Sequence, residues 1–131
     1  MNLKLKTCRS IGSSAMLLLF TLFVLQACVN HGFYSTTYID PKKTFVLGEG
    51  RHGRYVAKIK NVGSDDIEII QRDAQGAERS LGILKVGETG RYEVSANKTT
   101  LFKNLSNQKQ GAIEIYANGD TNLSMGYKEN Q

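Results

Sequence analysis

The stretch from residue 48 to residue 54 reads GEGRHGR and contains the residue types in this chain that are best suited to phosphate chemistry. Gly48, Gly50 and Gly53 have the spacing G-x-G-x-x-G, which lets a backbone approach a pyrophosphate group closely. His52 lies directly after Arg51, so a histidine that carries a phosphoryl group next to a cation is a second possible chemistry. The stretch is therefore compatible with a nucleotide site, a phosphotransfer site or a simple turn.

The surrounding residues argue against both kinds of phosphate site. A dinucleotide fingerprint requires a following helix whose N terminus meets the pyrophosphate, whereas residues 54–60 alternate as a strand does. The triplet at 51–53 resembles the RHG motif of histidine phosphatases, and this resemblance implies a second nearby histidine and a large α/β domain. The only other histidine is His31. We interpret residues 48–54 as a loop in which glycines let the chain turn.

Metal ligands and activated nucleophiles are not indicated elsewhere in the sequence. His31 and His52 lack a cysteine or carboxylate at ligand spacing, and the acidic cluster at 65–68 is interpreted as a solvated turn rather than a calcium site. A nucleophilic Ser or Cys needs a base within reach, and none is suggested. Acid–base catalysis by two carboxylates stays an open alternative, with no pairing visible. We expect a non-catalytic protein with no cofactor and no metal.

The N-terminal segment has the composition of an export signal. Residues 1–14 carry Lys4, Lys6 and Arg9 and no acid, and residues 15–25 read AMLLLFTLFVL. As a helix, this apolar run would be roughly 16 Å long, against a hydrocarbon core of about 30 Å. The length favours the hydrophobic region of a signal peptide over a transmembrane anchor.

The signal segment ends in LQAC at residues 25–28, which resembles the lipobox of bacterial lipoproteins. That resemblance implies cleavage after residue 27 and lipidation of Cys28, which would anchor the chain in a membrane. An ordinary secretory signal cut near Ala27 is the alternative. Cys8 would leave with the signal, so Cys28 would be the one cysteine of the mature chain, and lipidation accounts for a lone cysteine in an exported protein. In a Gram-negative cell, Val29, in place of the Asp that resembles an inner-membrane retention signal, favours the outer membrane facing the periplasm.

Removal of the signal changes the charge of the protein. Three of the 17 Lys and Arg residues lie in the signal, so 14 remain against 12 Asp and Glu, a net charge of +2 instead of +5. The high pI is mostly a property of the signal, and nucleic-acid binding loses its compositional support. We predict a signal peptide at 1–27, a lipidated tether at 28–32 and one domain at 33–131.

The mature sequence has the two-residue period of β-strands. Residues 55–60, 67–70, 91–96, 113–115 and 122–127 alternate apolar and polar side chains, and no apolar face at helical spacing follows Cys28. We predict an all-β antiparallel sandwich of seven to nine strands. The side chains predicted to point into its core are those of Tyr92, Val94, Ile113, Ile115, Leu123 and Met125, with Glu93 and Glu114 on the opposite face.

Turn signals separate these runs, among them DAQG at 73–76 and the dipeptide Asn118-Gly119, which predicts a tight hairpin. The segments AKIKNVG at 57–63 and LKVGE at 84–88 resemble the pattern strand-N-x-G, then L-x-x-G-E-strand, of bacterial immunoglobulin-like sandwiches. This resemblance covers about 40 residues and implies a fold, since a fold does not by itself define a function.

Six tyrosines and several cations of the mature chain are candidates for a binding surface. The chain contains no Trp, the usual stacking platform for sugars, so a carbohydrate-binding module has weaker support. Lys58 and Lys60 share a strand face; with the arginines at 51, 54, 72, 79 and 91 they suggest a basic face towards anionic lipid or a partner, or a solvated sheet face. We expect a lipoprotein that binds an envelope protein or has a structural role; the alternative is a ligand-binding or hydrolase-inhibiting lipoprotein.

Overall fold

The computed structural model describes residues 32–131, and within that range the chain is built of strands with no helix. The predicted signal peptide at 1–27 and the predicted lipidation site Cys28 lie outside the described residues. Nine strands are formed: β1 (Phe33–Ile39), β2 (Lys43–Leu47), β3 (Tyr55–Asn61), β4 (Ile67–Arg72), β5 (Glu78–Leu84), β6 (Thr89–Val94), β7 (Thr99–Asn104), β8 (Gly111–Gly119) and β9 (Met125–Glu129).

The strands form two antiparallel sheets that pack face to face. The four-stranded sheet has the order β1-β8-β3-β6, and the five-stranded sheet has the order β5-β4-β7-β2-β9. Only β4 and β5 are consecutive strands that pair with each other, through the DAQG turn, in which the Gly76 N–H donates to the carbonyl of Asp73. Every other connection between the described strands passes from one sheet to the other. The antiparallel β-sandwich predicted from the period-two runs is confirmed.

The core lies between the sheets and is formed by alternate side chains of the strands. In β3, Tyr55, Ala57 and Ile59 are buried while Lys58 and Lys60 are exposed. Of the six side chains predicted to point inward, those of Val94, Ile113 and Ile115 are fully buried, and those of Tyr92 and Leu123 are partly buried against the core. Glu93 is exposed and Glu114 is partly exposed, on the opposite face as predicted.

The prediction that Met125 is buried is wrong, because its side chain is 47% exposed. Met125 pairs with the core residue Leu47, and Tyr127 pairs with Phe45, so both lie on the inner side of the five-stranded sheet. The Tyr127 ring packs against Phe45 with 5.3 Å between centroids. However, β9 is the edge strand, and the smaller sheet does not cover it. Alternation identifies the face of a side chain but not how far the opposite sheet extends.

The predicted hairpin at Asn118-Gly119 is also absent, because β8 and β9 belong to different sheets. Gly119 is instead the last residue of β8 and pairs with Tyr55 of β3. The Asp120 N–H then donates to the carbonyl of Arg54, and the chain crosses to the five-stranded sheet. A turn-forming dipeptide permits a reversal of the chain, but a hairpin also requires that both strands enter the same sheet.

The two segments that resemble immunoglobulin-like sandwiches meet at one corner of the fold. Asn61 is fully buried, and its amide group donates to the carbonyl of Leu84 at 2.9 Å. The backbone of Asn61 also accepts from Gly87 N–H and donates to the carbonyl of Glu88, each at 2.9 Å. These bonds connect the end of β3 to the loop after β5, so the pattern in the sequence corresponds to a joint between the two sheets.

Candidate functional site

The GEGRHGR stretch forms the loop between β2 and β3, as predicted. Gly48 and Gly50 have φ angles of 76° and 95°, which only glycine adopts without strain. His52 is buried, with Nδ1 2.6 Å from the carbonyl oxygen of Gly53 and Nε2 2.9 Å from that of Lys98. Both ring nitrogens therefore face carbonyl oxygens of the protein, and the ring edge packs against Tyr55. In this arrangement His52 joins two loops, and neither of its nitrogens points to an open site.

Asp120 attaches the same loop to the end of β8. Its carboxylate accepts hydrogen bonds from the backbone N–H groups of Gly53 and Asn122. These two bonds, the bond from Gly53 first, hold the pKa of Asp120 below its ordinary value, and the nearby His52 has a smaller effect in the same direction. The carboxylate of Asp120 and the imidazole of His52 therefore both contact backbone groups of the neighbouring loops.

The outer side of the four-stranded sheet carries a different set of residues. One row across the sheet consists of Tyr34, Tyr116, Lys58 and Arg91, which are direct partners from β1 through β8 and β3 to β6. The next row contains Lys60, with Glu114 beside it. Partners in register point to the same side of a sheet. We call the surface formed by Tyr34, Tyr38, Tyr116, Lys58, Lys60 and Arg91 the aromatic-basic face.

The tyrosines of the aromatic-basic face are unusually exposed for their size, with exposed fractions of 61% for Tyr34, 59% for Tyr38 and 44% for Tyr116. A shallow depression of about 430 Å³ is lined by Tyr34, Tyr116 and the two lysines, together with Thr89 and Glu114. Within residues 32–131, no carboxylate lies within 4.0 Å of the ammonium groups of Lys58 and Lys60. The face therefore offers flat apolar rings with hydroxyl groups beside cations that are free to bind anionic oxygens.

The start of the described chain lies against this face. A Cβ atom on Gly32 would lie 2.7 Å from the hydroxyl oxygen of Tyr116 and 2.8 Å from the side-chain oxygen of Asn118. Gly32 immediately precedes β1, so the backbone enters the sandwich in contact with the aromatic-basic face. No period or motif in the sequence indicates this contact, because it depends on which strand lies beside β1.

The outer side of the five-stranded sheet differs in both packing and charge. Val46 and Leu101 are paired neighbours on that side, yet Leu101 is only 1% exposed. Lys128 of β9 lies 3.5 Å from Glu78 of β5, so this ion pair joins the two edge strands of the sheet, and both residues line a small depression of about 60 Å³ together with Leu101. A groove of about 690 Å³ lies nearby, and Arg72 at its wall pairs with Glu49 at 2.9 Å.

The arginines that the sequence groups with Lys58 and Lys60 are separated by the fold. Arg91 alone joins the two lysines on the aromatic-basic face. Arg72 and Arg79 belong to the five-stranded sheet, and Arg51 and Arg54 lie in the loop before β3. The basic face therefore contains fewer cations than the sequence suggested, and three tyrosines lie on the same surface.

Across residues 32–131, no group of three or more His, Cys, Asp or Glu side chains is placed to hold a metal ion. In the same residues no helix is long and apolar enough to cross a membrane. The predicted lipidation site Cys28 precedes this range.

Comparison with known proteins returns nothing to which this chain can be assigned. Neither protein-family models, nor curated proteins, nor solved structures give a significant match.

Proposed function

We propose that this chain is a lipid-anchored bacterial envelope protein whose sandwich domain binds another envelope protein through the aromatic-basic face. The anchor would be a lipid on Cys28, in the outer membrane and facing the periplasm. The single observation that carries the binding role is the row of Tyr34, Tyr116, Lys58 and Arg91, which exposes aromatic rings and cations side by side. Tyrosine and arginine are the residue types that contribute most at protein interfaces.

The short distance along the chain between Cys28 and the domain supports this arrangement. Only three residues lie between Cys28 and Gly32, and an extended chain covers these four Cα–Cα steps in about 13 Å. Gly32 lies against Tyr116. A lipid on Cys28 would therefore hold the aromatic-basic face close to the bilayer surface, where a partner in the same membrane is within reach at high effective concentration.

The charge on the face indicates the chemistry of the partner. Lys58, Lys60 and Arg91 outnumber the acidic groups beside them, Glu93 and Glu114, and the lysines are free of ion pairs with the described residues. An acidic surface with exposed apolar groups complements such a face, since opposite charges increase the association rate and apolar burial provides affinity.

The anchor is tested by exchanging each of the two cysteines in turn. Cys28→Ser should abolish palmitate labelling and membrane fractionation, whereas the matched Cys8→Ser should leave both unchanged, because Cys8 lies in the segment that is removed. If the Cys28→Ser protein still carries label and fractionates with membranes, the anchor is not at Cys28.

The binding face is tested with a photo-crosslinking amino acid placed at Tyr116 or, as a control, at Tyr127, which is also exposed but lies on β9 of the other sheet. We expect a discrete adduct with an envelope protein from position 116 and none from position 127. Lys58→Glu should remove that adduct by reversing the charge next to the ring. Equal adducts from both positions, or an adduct unaffected by Lys58→Glu, would contradict a partner site on this face.

The depression between Tyr34, Tyr116, Lys58 and Lys60 favours one alternative, the capture of a small acidic ligand that contains a ring. Its volume of about 430 Å³ falls within the usual size of ligand sites, roughly 300–1,000 Å³. Under this alternative, an acidic monosaccharide should shift the NMR signals of Tyr116 and Lys58, and the neutral sugar should not. If neither sugar shifts those signals, this alternative is contradicted.

A further inference from the structure

The four edge strands of the sandwich differ in how well they are protected against pairing with another strand. β5 carries an irregularity in its pairing with β4 and begins with the charged pair Glu78-Arg79. β6 carries Arg91 and Glu93, and β9 ends in Lys128 and Glu129. Charges, bulges and short lengths are the usual means by which natural edge strands avoid association.

β1 has none of these protections. Its sequence, FYSTTYI, contains no charge, no proline and no glycine, and all seven residues pair in unbroken register with β8. On its other side, no strand from residues 32–131 is paired with it. Half of its backbone N–H and C=O groups therefore point away from the sheet, along an edge that is regular and rich in residues with high β-propensity.

The sequence of β1 is also complementary to itself. If two copies of β1 pair antiparallel about Thr36, then Phe33 meets Ile39, Tyr34 meets Tyr38, and Ser35 meets Thr37. Each pair joins similar side chains that lie on the same side of the sheet, with Tyr34 and Tyr38 outside and Phe33 and Ile39 inside. The absence of charge means that no like-charged pair opposes this register.

We infer that two copies of this chain associate through their β1 edges and form one continuous eight-stranded sheet. The contact is isologous, because the same strand contributes from both copies and the two-fold axis passes beside Thr36. Backbone hydrogen bonds between the edges would provide the affinity, and the tyrosine pairs across the axis would add cross-strand contacts. This inference does not depend on lipidation or on the proposed partner.

The symmetry has a consequence for the aromatic-basic face. Two antiparallel strands in one sheet are related by an axis perpendicular to that sheet, so the outer sides of both copies face the same direction. The two faces would become one surface that contains six tyrosines. The two Gly32 residues would lie at opposite ends of the paired strands, displaced by eight residues or roughly 27 Å, and on the same side, so one membrane can hold both chains.

The first test compares one substitution at the two edges of the same sheet. Thr36 of β1 and Thr89 of β6 are both exposed and belong to the same row across the four-stranded sheet. In the full chain in detergent, sedimentation over a concentration series should give a dimer. Thr36→Lys should weaken the dimer by about tenfold or more, because two lysines would face each other at the axis, and Thr89→Lys should not weaken it. A monomer at all concentrations, or equal effects of the two substitutions, overturns the inference.

The second test measures the register in a full chain whose Cys8 and Cys28 are replaced by serine. Directly opposite residues have Cα atoms about 4.5–5.5 Å apart, which suits a disulfide. Thr36→Cys should therefore form a disulfide-linked dimer on oxidation. Tyr34→Cys alone should not, since its copy would be displaced by four residues, about 14 Å, but a mixture of Tyr34→Cys and Tyr38→Cys chains should crosslink. Failure of Thr36→Cys to crosslink, or efficient crosslinking of Tyr34→Cys to itself, excludes this pairing.

Discussion

The two outer sides of the sandwich have the same backbone geometry but opposite relations to solvent. On the five-stranded sheet, Leu101 is buried, and it lines a small depression together with the ion-paired Lys128 and Glu78. On the four-stranded sheet, Tyr116 and Tyr34 are exposed and Lys58 has no carboxylate partner within the described chain. Around Leu101 the first surface makes its contacts within the domain, although Ile83 at its β5 edge is 54% exposed, whereas the second surface leaves several aromatic rings and cations open to solvent.

This difference indicates which surface of the domain can still gain free energy by binding a partner. Ion pairs and covered apolar groups have already contributed to folding, so a partner gains little by displacing them. Exposed aromatic rings and unpaired cations retain most of their interaction energy for association. The aromatic-basic face and the β1 edge beside it are consequently the parts of the domain where binding is expected.

Truncation of one apolar side chain on each outer side gives the largest expected difference. Leu101→Ala should lower the free energy of unfolding by about 2–4 kcal/mol, because truncation of this fully buried side chain leaves a cavity. Tyr116→Ala should cost about 1 kcal/mol or less, since the ring is largely exposed. Urea denaturation of both variants checks the comparison, and equal losses would show that the two sides are not different.

Removal of the His52 ring tests the loop that joins the two sheets. His52→Ala removes the two ring nitrogens that face the carbonyl oxygens of Gly53 and Lys98 and opens space beside Tyr55, so we expect a loss of about 1–3 kcal/mol in stability. The neighbouring Arg51 is exposed, and Arg51→Ala should be close to wild type. A His52→Ala protein that is as stable as Arg51→Ala but loses a catalytic activity would restore the phosphotransfer interpretation.

Neutralisation of one cation on each outer side should give a smaller contrast. Arg72→Gln breaks the pair with Glu49, in which the Arg72 side chain is 21% exposed and that of Glu49 is 67% exposed. Solvent screening limits the expected loss to about 0.2–1 kcal/mol, and added salt should reduce it further. Lys58→Gln should leave stability unchanged while weakening binding. A larger loss of stability from Lys58→Gln would contradict the comparison.

The smallest expected effect is a pH dependence from Asp120, which connects the end of β8 to the His52 loop. Its pKa is lowered in the folded state, so its contribution to stability is present above its ordinary pKa of 3.8 and is lost as the pH falls through the folded value. Asp120→Asn should therefore reduce the loss of stability on acidification below about pH 4, as measured by melting temperature. An unchanged acid dependence would mean that the carboxylate does not hold the loop.

Much of the inner face of the sandwich can be predicted from alternation alone. Val94, Ile113 and Ile115 are buried because their strands lie well inside the sheets, where parity and burial coincide. The corner at Asn61 can also be predicted from the sequence. The side chain and backbone of Asn61 bond to the backbone of Leu84, Gly87 and Glu88, and these residues belong to the two segments, 57–63 and 84–88, whose pattern of asparagine, glycine and acid is recognisable. These features depend on local sequence or on one strong hydrogen-bonding group.

The remaining features depend on strand order, which no local pattern contains. Met125 has inward parity but lies on an edge strand, and Asn118-Gly119 can turn but its strands enter different sheets. β2 and β7 are buried on both sides, so their runs show no alternation from which to choose a face. The row from Tyr34 to Arg91 combines four strands that are distant in sequence, and it becomes visible only when their register is known.

The pairing of β1 with β8 has a consequence for the order in which the chain folds. β1 is the first described strand, and its partner β8 is the eighth of nine. Phe33 therefore cannot pair with Ala117 until almost the whole domain is available, and only then is the four-stranded sheet complete. Long-range pairing of this kind makes folding slow, because a large loop is closed before the contacts form. During synthesis or export, nearly the whole domain must emerge before β1 finds its place. Until then the β8-facing side of β1 is unpaired as well, and we expect this interval to be the period in which the chain is most prone to aggregation.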